Sequence, residues 1–579
     1  MPLVMDGAVE VEGKKGERQL VLAKDRYRAT GAIGPSAFAA GIDAQGPWSI
    51  GSASGVFERL LDDEALGVRI DPWFFGRKYA AFDPAKDKAS CHDDKVTLHY
   101  ARPEIGDPIM VFDVDSASLL SFEHRQSDGR KTLVTIASWT DAAESPSRVR
   151  WPRKWTEHPV TGSATTSTLA KITSGLACSS WATAALAPPT LEGEACLAPP
   201  PERFTLRWPA SGRVRVPMIH LFGQLLIRAG IGTRPVWALL DSGAGITCVD
   251  ATTASGEAFK PALEIHGSGS TQKIKLGIGA LPDIALGDLH AIEVPTASVP
   301  IPALAAFGNK RPELILGYSF FAAAAVRIDY KKGEVILAKS AAGLAAPNAR
   351  KIAARHVDGK LLVDGEIEGH AAVFQLDTGN SGGLDLVKRW ASKHGIPGEK
   401  KTLVVSGRFG VGEAETESTY FRLGHASLGP IRADHTVAQI SDPPDTGNVA
   451  GLAGNATLAR CDAAVFDHAG RTIYVEGACD KPVPEQRVGW GVEPKADPAA
   501  KDRPWLVVAV APGGAAAAAG IEKGDRLLEI DGVPANDDPN VFARLDTKSD
   551  GAKIAVVVSR GGAKKTLTLV LQPLLPREG

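Results

Sequence analysis

Charge of one sign is missing from this chain. Its 579 residues carry 65 Lys+Arg against 67 Asp+Glu, a formal net charge of −2, so no strong field for nucleic acid or an anionic membrane is expected. Long apolar runs are missing too. The longest, such as Phe320–Val326, fall far short of a membrane span, and no transmembrane segment is expected. Cysteine is scarce: six residues exclude a disulfide scaffold at this length. The start, Met1-Pro-Leu-Val-Met-Asp-Gly-Ala, lacks the basic stretch and apolar core of a signal peptide. Glycine and proline are plentiful at 61 and 39, which suits a turn-rich, mainly β protein of several domains.

Pro/Ala/Gly-rich breaks at 184–201, 340–349 and 479–485 divide the chain into units 1–183, 205–339, 350–478 and 486–575. The two central units repeat each other. Gly223-Gln-Leu-Leu-Ile aligns with Gly359-Lys-Leu-Leu-Val at an offset of 136, and the same offset carries Asp241-Ser242-Gly243 onto Asp377-Thr378-Gly379. Leu314-Ile-Leu-Gly317 falls on Gly451-Leu-Ala-Gly454 with one residue inserted, and the hairpin about Gly333 matches the one about Gly470. Residues 1–183 read as β-rich, with strands at Lys95–Tyr100 and Met110–Val114 and an anchoring Trp48 at a turn. Helical spacing is read over Leu384–His394, stopped by Gly395.

Two carboxylates, each at the end of an apolar run and each from an equivalent half, are what water-mediated peptide hydrolysis needs. Held about 3 Å apart, they cannot both ionise, so one accepts a proton from water while the other donates to the scissile carbonyl. Asp241 and Asp377 are the expected pair. Ser242 and Thr378 offer hydroxyls to cross-link the loops, and Gly243 and Gly379 allow close backbone approach. The bland alternative is two turns that merely cap strands. A third copy, Asp445-Thr446-Gly447, follows Ser-Asp-Pro-Pro and is read as a plain turn. Gly379-Asn-Ser381-Gly-Gly383 also matches a serine nucleophile elbow, which would need a strand–turn–helix setting.

Gly267 and Gly269 in one glycine-rich hairpin, and Gly407 and Gly410 in another, are candidates for flaps over a substrate, or else ordinary hairpin tips. Cys461 and Cys479 flank the hairpin about Gly470 and would face each other. Cys178 and Cys196 bracket a proline-rich loop. Both pairs are candidate disulfides, with buried free thiols as the alternative, and a bridge would imply an oxidising compartment. Cys91-His92-Asp93-Asp94 is read as an exposed turn, because adjacent residues rarely converge on one ion. No metal or cofactor is expected.

The strand–Asp-Ser/Thr-Gly pattern with a later apolar-apolar-Gly (Ile315-Leu316-Gly317 and Leu452-Ala453-Gly454) resembles the retropepsin-like aspartic peptidases over about 205–478. The resemblance implies a closed β-barrel in each of two lobes, a pseudo-twofold axis and Asp241 with Asp377 as catalytic dyad, hydrolysing polypeptides. Asn380 departs from the usual Ala, found at Ala244 in the first half. The tail resembles a bacterial-type PDZ domain. Leu506–Ala515 and Ala519–Gly532 carry the likeness, and Gly489, Trp490, Gly491 and Val492 stand where the carboxylate-binding loop and its strand belong. That implies capture of a C-terminal peptide, unless the module only packs against the peptidase. Residues 1–183 weakly resemble lipoprotein-carrier-like domains, which implies an exported protein and leaves lipid binding as a further reading. The chief alternative to a peptidase is a catalytically inactive peptide-binding protein of the same fold.

Overall fold

The structure, a computed structural model, describes residues 2–24, 26–127, 129–144, 150–159, 163–174, 177–179, 190–192, 196–200, 204–251, 259–268, 273–357, 359–408, 415–441, 448–482, 487–494, 504–536, 538–546 and 548–575. Strands dominate it, and three large sheets organise it. Among the described residues no helix is long and apolar enough to cross a membrane.

The first sheet is antiparallel and runs from Leu3–Val11 to Thr165–Ser174 in sequence, with Phe57–Arg59 and Lys88–His92 at its two edges. Helix Leu66–Phe75 packs on it through Ile70, Trp73, Phe74 and Phe75, which join Met5, Tyr27, Phe122 and Trp155 in one aromatic-rich core. Strands Lys95–His99 and Ile109–Asp113 lie where alternation predicts them. Trp48 is completely buried on strand Gly46–Ile50. The Cys91–Asp94 stretch is an exposed hairpin with a free Cys91 thiol.

The central unit spans Thr205–Glu476 and is built twice. In its first half Gln224–Ile231, Lys273–Leu286, Leu289–Val299, Thr247–Asp250, Leu314–Leu316 and Arg234–Leu240 pair in a closed circuit. The second half has the same order. There the two long strands are each broken in two, as Glu415–Arg422 with Ala426–Leu428, and Ile431–Arg432 with Val437–Ser441. The expected helix over 384–394 is only partly helical. Leu384–Val387 is a strand pairing with Val437–Ser441 and Gly451–Gly454, and the helix is Lys388–Lys393. Sheet pairing of Leu384 and Leu386 overrides their helical spacing, because both are needed inside the second circuit.

The halves share a six-stranded sheet, three strands from each. Arg213–Leu221, Glu334–Ala338 and Ala325–Asp329 continue into Ala463–Asp467, Thr472–Glu476 and Arg350–Val357. The joint lies between Val326–Asp329 and Ala463–Phe466. Phe321 meets Phe466 edge-on across it at 5.1 Å. Arg327 forks onto Glu476 with a second contact to Asp329, a bidentate charge-assisted tie between halves. Cys461 and Cys479 are disulfide-bonded and close the hairpin that ends the unit. Cys196 is buried and disulfide-bonded; its expected partner Cys178 lies on strand Ala177–Ser179, whose side chains are outside the described residues.

The last sheet, Trp490–Val570, encloses Trp505, Val507, Leu527, Ile554, Val556 and Leu569, with helices Ala515–Ala518 and Asn540–Asp546.

Candidate active site

Each aspartate is delivered by the same local device. Strand Arg234–Leu240 pairs in parallel with Leu314–Leu316, and the Asp241 N–H donates to the Leu316 carbonyl at 3.0 Å. Strand His370–Asp377 pairs in parallel with Gly451–Gly454, which sets Asp377 opposite Gly454. Beyond each carboxylate the chain turns back under it. The N–H groups of Gly243 and Ala244 donate to Asp241 Oδ1 at 2.8 and 3.0 Å. Those of Gly379 and Asn380 donate to Asp377 Oδ1 at 2.9 and 3.1 Å.

The two loops face and interlock. The Ser242 N–H donates to Thr378 Oγ1 at 2.9 Å and the Thr378 N–H to Ser242 Oγ at 3.1 Å. Each hydroxyl then donates to the carbonyl preceding the opposite aspartate: Ser242 to Leu376 at 3.0 Å, and Thr378 to Leu240 at 2.9 Å. Both side chains are fully buried. The glycines stand against the opposite carboxyls. A Cβ on Gly243 would lie 2.3 Å from Asp377 Cγ, and one on Gly379 would lie 2.2 Å from Asp241 Cγ.

The carboxyls are close enough to hydrogen-bond. Burial raises Asp241 above the ordinary carboxylate range, opposed by hydrogen bonds from Asp377 and from the Gly243, Ala244 and Gly379 N–H groups. Burial, the neighbouring Asp241 charge and the hydrogen bond to it lift Asp377 well above that range. Like charges this close titrate as a pair that retains one proton. Nearby, burial pushes the Cys248 thiol up to about 12, so it offers no nucleophile beside the pair.

Several residues that hold these loops carry no local signature. Tyr318 donates its N–H to the Ala244 carbonyl at 2.8 Å, and Asn455 donates its N–H to the Asn380 carbonyl at 2.9 Å. These two residues follow Gly317 and Gly454 and are equivalent in the repeat. The buried Asn455 amide also donates to the Thr378 carbonyl and accepts from the Tyr330 hydroxyl at 3.1 Å. Gln224 donates to the Gly379 carbonyl from the opening hairpin of the first half. The apolar-apolar-Gly motif was the one signal pointing to Tyr318 and Asn455. Asn380, the departure from Ala, accepts the Gly382 N–H at 2.7 Å through Oδ1 and so braces its own turn. Ser381 is exposed and is followed by a strand, so the helix of a nucleophile elbow is missing.

Gly267 lies on strand Leu263–Ser268, and Gly407 on strand Thr402–Arg408. Gly269, Gly410 and the third Asp-Thr-Gly at 445–447 lie outside the described residues. The first of these hairpins touches the N-terminal sheet. Glu12 accepts from the His266 N–H at 3.0 Å and pairs with His266 Nδ1 at 2.9 Å.

In the tail, strand Trp490–Pro494 is an edge of its sheet, and Gly491 pairs with Ala509. The Gly489 carbonyl accepts from Ala511 N–H. Trp490 meets Phe542 of the second helix at 6.2 Å, and Val492 packs on the core. This edge packs against segment Pro302–Lys310 of the central unit. Lys310 donates to Asp538 at 2.9 Å, and Phe222 contacts both Phe307 and Phe542 at 5.9 Å.

Residues 227–320 match a family model described as an aspartyl protease, and residues 489–571 match one described as a PDZ domain. No curated protein matches significantly. Among solved structures, the chain is similar to a retropepsin-like aspartic protease from Rickettsia conorii, at 18% identity over 22% of this chain and 89% of that one, with a TM-score of 0.18. The chain is mainly β, and it joins a central stretch that matches an aspartyl protease model to a tail that matches a PDZ domain model.

Proposed function

We propose that the chain is an aspartic endopeptidase in which Asp241 and Asp377 share one proton over a substrate water. The observation that carries this is the reciprocal seating of the two carboxyls, each cradled by its own loop and touching the other's glycine. In the single-proton form, the ionised carboxylate takes a proton from the water as it attacks the scissile carbonyl. The protonated one donates a hydrogen bond to the carbonyl oxygen and stabilises the oxyanion; its proton, or the one taken from water, then passes to the leaving amine. The apolar floor beneath the pair strengthens both interactions.

The PDZ edge strand is the proposed seat for a polypeptide C-terminus, added as an extra strand. The Cys461–Cys479 bridge supports an oxidising, exported setting. The test is hydrolysis of a mixed peptide library at several pH values by the wild type and by Asp241→Asn. Cleavage by the wild type that the substitution leaves intact would remove the dyad from the mechanism. Binding of peptides without turnover by the wild type would favour a non-catalytic peptide-binding protein instead.

A further inference from the structure

Behind the first aspartate loop, three parts of the chain bring donor atoms to one point. Glu58 comes from the edge strand Phe57–Arg59 of the N-terminal sheet. His356 comes from strand Arg350–Val357, and His468 from the turn after strand Ala463–Asp467. One ligand atom from each lies within 4.8 Å of the other two. His468 Nε2 is 2.8 Å from Glu58 Oε1, and the two imidazoles lie with centroids 3.6 Å apart and planes tilted by 38°. His356 is only 4% exposed, and its Nε2 has no hydrogen-bond partner. Glu58 and His468 side chains are 12% and 11% exposed.

We propose that Glu58, His356 and His468 bind a zinc ion that fastens the N-terminal sheet to the peptidase unit. Two imidazoles and one carboxylate form a donor set that suits zinc, whereas calcium and magnesium prefer oxygen alone. Tetrahedral bonds of about 2.0–2.1 Å separate ligand atoms by roughly 3.3 Å. The His468–Glu58 contact opens to that value by a small rotation of the carboxylate. The Tyr318 hydroxyl, 2.6 Å from Glu58 Oε1 and 2.7 Å from His468 Nε2, stands as the fourth donor or as the outer hydrogen bond that orients Glu58. The charge also fits. With both imidazoles neutral, Glu58 and the buried Glu64 outweigh Arg471, which pairs with Glu64 at 2.7 Å, by one negative charge.

A hydrogen-bonded cluster alone would leave a buried ring nitrogen of His356 unpaired, whereas an ion employs the imidazole lone pairs. The three ligands lie far apart in the sequence, so no local metal motif announces them. The ion would also brace the site already described, because Tyr318 donates its N–H to the Ala244 carbonyl.

The test uses the full chain, stripped with a chelator and titrated with Co²⁺ and then Zn²⁺. The expected result is one Co²⁺ per chain with the visible bands of a tetrahedral site, displaced by one Zn²⁺. Glu58→Gln and His468→Gln, each verified as folded by near-UV circular dichroism, should bind at least about 100-fold more weakly. Cys91→Ser combined with His92→Asn should bind like the wild type. Glu58→Gln guards against misfolding of the histidine variant, since the amide keeps the hydrogen-bonding shape. Absence of stoichiometric binding by the folded wild type, or undiminished binding by the two ligand variants, would overturn the proposal. The readout does not use peptide hydrolysis, so it stands or falls independently of the dyad.

Discussion

Ser242 and Thr378, 136 residues apart, exchange backbone N–H to hydroxyl hydrogen bonds in both directions. Neither aspartate loop is complete without the other half. Replacing Thr378 by Val keeps the volume but strands the buried Ser242 N–H and the Leu240 carbonyl. Each unsatisfied group costs about 1–3 kcal/mol. Thermal unfolding of Thr378→Val should show a loss of that order, and Thr378→Ser should recover most of it. Combined with Ser242→Ala the effects should be non-additive by more than about 0.5 kcal/mol, since the two residues share one network.

Gly379 sits where a methyl group would land on the Asp241 carboxyl. Gly379→Ala is therefore expected to push the carboxyls apart. The expected outcome is at least about a 100-fold fall in kcat, because misplacement by about 1 Å costs that much. An alanine variant with unchanged kcat would mean that the carboxyl pair takes no part in the rate-determining chemistry.

Burial raises both carboxyls of the pair, and the neighbouring Asp241 charge raises Asp377 further. The single-proton form disappears at low pH, when a second proton binds, and at high pH, when the shared proton leaves. A bell-shaped kcat/KM profile is expected, with its alkaline limb above the ordinary carboxylate range. Folding follows the same sign. A raised native pKa contributes stability at low pH that is lost as pH rises through that value. Asp377→Asn should abolish activity and remove this alkaline loss of stability, read by chemical denaturation across pH.

Asp385 gives a second pH test away from the chemistry. Burial raises it to about 6, opposed by the Ser441 hydroxyl at 2.6 Å. The folded state thus prefers the protonated form. Between the unfolded value and about 6, rising pH should cost up to roughly 3 kcal/mol, at about 1.4 kcal/mol per unit. Asp385→Asn should make the protein more stable than wild type at pH 7 and similar to it at pH 4. A variant less stable at both would show that the carboxylate is needed ionised.

The PDZ edge strand Trp490–Pro494 already packs against Pro302–Lys310. A peptide adding to that edge has to displace this contact. Lys310→Glu sets like charges beside Asp538 and should loosen it. C-terminal peptides should then bind about 10-fold more tightly by fluorescence anisotropy, as expected when about 1.4 kcal/mol of competition is removed. Unchanged affinity would mean that the contact does not obstruct the edge.

Much of this was legible in the residues. The strands at Lys95–His99 and Ile109–Asp113, the hairpin around Gly470 with its flanking cysteines, and the two aspartate turns follow from alternation, turn chemistry and repetition. Leu384–Val387 was misread as helix because its spacing satisfies both periods, and burial inside the second circuit chose the strand. The support from Gln224 was illegible, since a polar residue's partner in the other half leaves no mark in its own neighbourhood, and the apolar-apolar-Gly motif before Tyr318 and Asn455 marked their positions without naming their partners. The Glu58–His356–His468 cluster was hidden for the same reason.

The sequence alone determined the duplication, the apolar strands that end in Asp-Ser/Thr-Gly, and the glycines small enough for close approach, because these are local choices of residue and register. Only the tertiary structure decided that the two loops interlock, that the halves share one six-stranded sheet, and that edges of the N-terminal and PDZ sheets rest on the central unit. Those outcomes depend on strand pairings and buried contacts between residues a hundred or more positions apart, whose free energy exists only once the chain has closed upon itself.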